Sequence, residues 1–113
     1  VAELLDAEQL WATGAWAERF GLDPDPSNIG YGHGPEEVAA VRPDGPDAPV
    51  AYLGAVDART RAFLAGLAPA DLDRVVDRAW DPPVTLGVRL VSIADDGLQH
   101  AGQAAYLRGL LDL

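Results

Sequence analysis

The chain has no cysteine and no lysine in its 113 residues. Without cysteine there are no disulfides, thiolate nucleophiles, Cys-bound zinc sites or iron–sulfur clusters. Basic charge is scarce: eight arginines stand against 18 acidic side chains, for a formal net charge of −10. No run of basic residues exists, so the clustered positive face that phosphate binding needs is missing. The same scarcity argues against anionic membrane surfaces. No apolar run approaches the roughly 18–20 residues of a membrane span. No charged segment followed by an apolar stretch opens the chain, so no signal peptide is read and a cytoplasmic setting is expected. The Ala-, Asp-, Arg- and Gly-rich composition points to a GC-rich bacterial genome.

Hydrophobic residues make up 49% of the chain, enough for one core. The length fits one domain, taken here as residues 1–113. The first residue is Val1, and Val1-Ala2-Glu3-Leu4-Leu5 reads as mid-helix with no capping residue before it. The domain is therefore expected to be N-terminally incomplete.

Leu4, Leu5, Trp11, Ala12, Ala15, Trp16 and Phe20 recur mostly at three- and four-residue steps, which predicts a first helix over 1–20 stopped by Gly21. Gly14 inside it costs about 1 kcal/mol against alanine. Residues 21–34 read as a long loop rich in Pro, Asp, Asn and Gly. Gly34-Pro35-Glu36-Glu37 starts a short helix: Gly at the N-cap, Pro at N1, acids in the first turn. A second long helix is expected over 48–67, ended by Gly66. A short helix follows with Leu72, Val75 and Val76. Trp80-Asp81-Pro82-Pro83 is a rigid connector. The last helix, Thr85 to about Leu111, holds its helical spacing throughout and would run about 40 Å. No segment alternates as a strand does. The class is all-α, a bundle with three long helices in view.

That last helix carries Asp95, Asp96, Gln99, His100 and Gln103 among apolar residues. Asp96 and His100 are four apart, so they share a face at about 5–6 Å. A carboxylate oxygen and an imidazole nitrogen so placed can reach one divalent ion. Gln103, a turn further, can orient a ligand or a metal-bound water. The plainer reading is a surface salt bridge or hydrogen bond, and two ligands alone hold a metal poorly, since catalytic zinc takes three protein ligands and water.

The run Val91-Ser92-Ile93-Ala94-Asp95-Asp96-Gly97-Leu98-Gln99-His100-Ala101-Gly102-Gln103, continuing to Gly109, resembles the signature helix of the DinB-like superfamily. His-x-Gly-Gln is its most specific part. The Trp-bearing first segment, the Gly30-Tyr31-Gly32-His33 loop and Trp80-Asp81-Pro82-Pro83-Val84 extend the likeness over essentially the whole chain. The superfamily includes mycothiol-dependent maleylpyruvate isomerases and bacillithiol transferases. The resemblance implies a four-helix bundle, up-down-down-up, with short extra helices in the connections. It implies one divalent metal, zinc or nickel, held by three ligands, of which Asp96 and His100 would be two. Aspartate departs from the usual His or Glu and shortens the reach by one methylene. The third ligand would be a histidine directly before Val1, outside this chain along with the family's first helix; the truncated chain should then bind metal weakly and present an apolar face that invites homodimerisation.

The implied activity is a metal-dependent thiol transfer, or thiol-dependent isomerisation, of a small electrophile. A low-molecular-weight thiol such as mycothiol would be the co-substrate, because the chain has no thiol of its own. Gln103 would act behind the ligands. His33 either offers a polar group to the substrate or merely packs with Tyr31 in a Gly-rich turn. Arg108 either meets a substrate carboxylate or answers the helix dipole. Trp11, Trp16 and Trp80 are read as core. The alternative is a non-catalytic helical bundle acting through assembly or partner binding.

Overall fold

A computed structural model describes Leu4 and residues 6–112. Val1–Glu3 and Leu5, part of the expected first helix, lie outside the described residues. The elements are α1 (Leu10–Thr13), α2 (Trp16–Arg19), α3 (Pro35–Ala40), α4 (Asp47–Ala65), a 3₁₀ turn (Pro69–Asp73), β1 (Val75–Asp77), β2 (Val84–Thr85) and α5 (Leu86–Leu110). The protein is mostly helical, as its all-α class requires. Two compact units are distinguished, Val1–Gly66 and Leu67–Leu113.

In the first unit the expected single helix over 1–20 is interrupted. Asp6 takes a left-handed φ of 48°. Gly14 is extended, at φ −109° and ψ 174°, between α1 and α2. A Cβ on Gly14 would come within 2.7 Å of the Trp16 ring, so glycine lets that ring fold back on the break. The stop after Phe20 is as expected: Gly21 has φ 70°, and the Leu22 N–H bonds the Ala17 carbonyl at 2.9 Å. The gain from the break is an aromatic cluster. Trp11 and Phe20 have ring centroids 5.5 Å apart, and Tyr52 of α4 lies 5.7 Å from Trp11, 5.3 Å from Trp16 and 6.0 Å from Phe20. Phe20 within it is buried, as are Ala17 of α2 and Ala48 of α4.

Burial pushes the Tyr52 phenol up from its ordinary value. Its contribution to stability is complete below the unfolded-state value of about 10 and is lost as pH rises through the folded one. A tyrosinate absorbance titration should show a late-ionising phenol that Tyr52→Phe removes. A titration unchanged by that substitution would contradict the packing of this ring.

At the edge of the cluster Arg19 donates to both carboxylate oxygens of Asp44, at 2.9 and 3.2 Å, and stands 5.6 Å over the Trp16 ring. The hydrogen bond from Arg19 holds the Asp44 carboxyl below its usual range. The cap of α3 is as the sequence implies, with the Gly34 N–H bonded to the Glu37 carboxylate at 2.6 Å and Pro35 next in line. Gly66 ends α4 as expected.

The second unit departs from expectation between the long helices. The short helix ends at Asp73, and Val75–Asp77 instead pairs antiparallel with Val84–Thr85. Two and three residues are too few for an alternating pattern to be visible, and the Pro82-Pro83 connector makes the reversal. Trp80, in that connector, is 66% exposed rather than in the core. The Leu86 N–H bonds the Arg74 carbonyl at 2.8 Å, and Leu86 is fully buried. Gly87 permits close approach here, because a Cβ would stand 3.3 Å from the Leu72 carbonyl oxygen. Thr85 caps α5, its hydroxyl accepting the Val88 N–H at 3.4 Å. The long helices among the described residues are thus two, α4 and α5, rather than three. Among the described residues no helix is long and apolar enough to cross a membrane.

Candidate functional site

α5 positions the polar cluster. Its first two turns are packed: Leu86 is buried, and Gly87, Arg89, Leu90 and Ile93 are half-buried. From Ala94 to Leu110 the helix is exposed, Leu98, Tyr106, Leu107 and Leu110 included.

The five polar residues divide into two sets about 100° apart around the helix. Gln99 Nε2 donates to Asp95 Oδ2 at 2.8 Å and closes one pair on itself. The other set is Asp96, His100 and Gln103. His100 Nδ1 donates to Gln103 Oε1 at 3.0 Å, and His100 Nε2 lies 3.7 Å from Asp96 Oδ1. An amide oxygen only accepts, so a hydrogen bond here takes the tautomer with its proton on Nδ1, in which Nε2 faces the carboxylate side with its lone pair. The Asp96 and His100 side chains are 75% and 69% exposed, which leaves both donors open to an incoming ion.

This donor chemistry fits a divalent metal. One imidazole nitrogen and one carboxylate oxygen face each other, and the other ring nitrogen is held by an outer partner in the manner of metal-ligating histidines. Among the described residues no third His, Cys, Asp or Glu joins the pair. Asp96 and His100 would therefore hold an ion as two ligands of a larger set.

The remaining sequence candidates lie apart from this trio. Arg108 is on α5 two turns beyond His100, rotated off its face, and is engaged in an interaction of its own. His33 belongs to the first unit, half-buried in the loop before α3, between Gly32 at φ 78° and the N-cap Gly34. Beside it Tyr31 is 92% exposed, and the turn holding both is closed by the His33 N–H bonding the Gly30 carbonyl at 3.4 Å. A shallow groove of about 470 Å³ in the same unit is lined mainly by small side chains of α1, α2 and the following loop, with Glu18 and Asp23.

Sequence reasoning passed over Arg89. It is half-buried on α5, and its Nη2 donates to Asp77 Oδ2 of β1 at 2.8 Å. Only the strand pairing, which the sequence pattern hides, brings Asp77 to it.

The helical fold and the His100-x-Gly102-Gln103 helix define a DinB-like protein. The chain belongs to the mycothiol S-transferase family, whose model matches residues 1–113. It is also similar to a solved structure, a conserved protein from Enterococcus faecalis, with 38% identity and a TM-score of 0.84. That match covers 95% of this chain and 63% of the other, so the chain spans under two thirds of that protein's length. No curated protein matches.

Proposed function

We propose that the protein is a metal-dependent S-transferase that joins a low-molecular-weight thiol of the mycothiol type to a small electrophile in the cytoplasm. The family supports the thiol and the electrophile. The observation that carries the metal dependence is the trio on α5, with His100 Nδ1 3.0 Å from Gln103 Oε1 and Nε2 3.7 Å from Asp96 Oδ1. Asp96 and His100 would be two of the ligands of a zinc or nickel ion. When bound, such an ion lowers the pKa of a coordinated thiol and so maintains a nucleophile near neutral pH. The thiol would give its proton to solvent water, its sulfur would form a bond to the electrophilic carbon, and any leaving group would depart with the bonding pair. The chain's own part is to hold the donors. Asp96 contributes negative charge, His100 a neutral nitrogen, and Gln103 orientation.

The test is metal content by elemental analysis, followed by metal-dependent conjugation of an electrophile panel with mycothiol. Stoichiometric zinc or nickel with turnover supports the reading. No turnover at saturating metal and thiol overturns it. Gln103→Leu should weaken metal affinity roughly 10–100-fold, as loss of an outer-shell partner does, without unfolding a helix on which residue 103 is exposed. Metal affinity unchanged in that variant would remove Gln103 from the site.

A second reading is favoured by the exposure of α5 beyond Ala94, with Leu98 at 73% and Tyr106 at 68%. Under it the protein is a non-catalytic bundle that buries this face by assembly, including homodimerisation. Self-association without metal uptake would favour it.

A further inference from the structure

The trio on α5 continues a longer polar line. Positions 89, 92, 96, 100 and 103 advance by three and four residues, so Arg89, Ser92, Asp96, His100 and Gln103 fall on one side of the helix. Arg89 lies seven residues before Asp96, about 10 Å along the axis. Its guanidinium is not a mobile surface charge. Asp77 Oδ1 is occupied by the Ala79 N–H at 2.9 Å, so the carboxylate is fixed by the strand end and presents Oδ2 to Arg89 Nη2 at 2.8 Å. The Arg89 side chain retains 37% exposure. Its Nε and Nη1 donors have no hydrogen-bond partner among the described residues, and a guanidinium carries five N–H donors in a rigid fork.

We infer that Arg89 is the anion anchor of this site, receiving a carboxylate of the substrate while the reacting atoms lie at Asp96 and His100. This rests on the thiol-transfer reading and adds a substrate class to it: a carboxylate-bearing compound whose anionic group is separated from its reactive atom by the run of α5 between Arg89 and the Asp96–His100 pair. A planar fork held on one side by Asp77, with its other donors open, suits a carboxylate better than a flexible ammonium would, and Arg89 is the one cation on this polar line of α5. The carboxylate can belong to the electrophile or to the thiol.

The test uses equilibrium binding by calorimetry as well as turnover. The probes are thioethers with a carboxylate on the electrophile half, on the thiol half, or esterified on both. Arg89→Gln should weaken the matching carboxylate probe about tenfold, the value of a lost charge-assisted hydrogen bond, and leave the ester unchanged. Metal content should stay the same. The half that responds identifies the source. Arg89→Lys, which keeps charge and packing, should recover part of the affinity. Equal weakening of acid and ester, or none, would overturn the anchor. Carboxylate binding through Arg89 with no turnover would sink the transfer reading alone; turnover indifferent to Arg89 would sink the anchor alone.

Discussion

Phe20→Ala should cost about 3–5 kcal/mol of folding stability, as truncation of a buried aromatic does. Phe20 is only 8% exposed and makes ring contacts with both Trp11 and Tyr52. Its carbonyl also accepts the Arg42 N–H at 2.8 Å, so the residue ties the loop after α3 to the end of α2. Alanine retains that backbone bond and removes the ring, leaving a cavity that two indoles and a phenol cannot refill without giving up their tilted contacts. Denaturant titration measures the loss. The control is Trp80→Ala, a larger deletion at a site 66% exposed, expected to change stability by about 0.5 kcal/mol or less. A cost for Phe20→Ala as small as the control's would show that the aromatic cluster is not the core of its unit.

His100→Ala should abolish metal binding in the proposed site, a larger loss than the roughly 10–100-fold expected for an outer-shell residue. It deletes one of the two donors α5 supplies and leaves Asp96 as the helix's one ligand, 75% exposed, a condition in which water competes for the ion. Because His100 is itself 69% exposed and its partners are within its own helix, the fold should be unaffected. Circular dichroism and zinc or nickel titration of the same sample separate the two effects. Retained affinity would move the site away from α5. Asp96→Asn should fall between, since it keeps an oxygen donor but removes the charge.

Much of this was legible from residue patterns because it is local. The start of the last helix near Thr85, its unbroken spacing to about Leu111 and the i, i+4 relation of Asp96 and His100 depend only on helix geometry, and α5 runs Leu86–Leu110 with those two residues 3.7 Å apart. The cap of α3 belongs to the same kind. What could not be read depends on partners distant in sequence. Gly14 breaks the first helix because the Trp16 ring occupies the space a side chain would need, and that ring is in place through Tyr52, 36 positions on. β1 and β2 are defined by each other rather than by their own three and two residues. Arg89 looked like one more surface charge until Asp77 was fixed beside it by that pairing. Trp80 was assigned to the core on its apolar size, yet a connector containing two prolines turns outward there.

The two contacts at His100 run in opposite directions along one helix. The carboxylate is four residues behind the ring and the amide is three ahead. α5 therefore serves as a ruler, and its marks can be moved independently. One alanine inserted after Ala101 leaves the spacing from Asp96 to His100 intact but carries Gln103 through about 100° of rotation. The imidazole would keep its neighbour and lose the amide 3.0 Å from Nδ1, so that ¹⁵N chemical shifts of the ring should move toward the mixture of tautomers of a free imidazole. Insertion after Gly97 does the reverse, keeping the tautomer and parting the donors. Length changes in the loops leave both relations untouched.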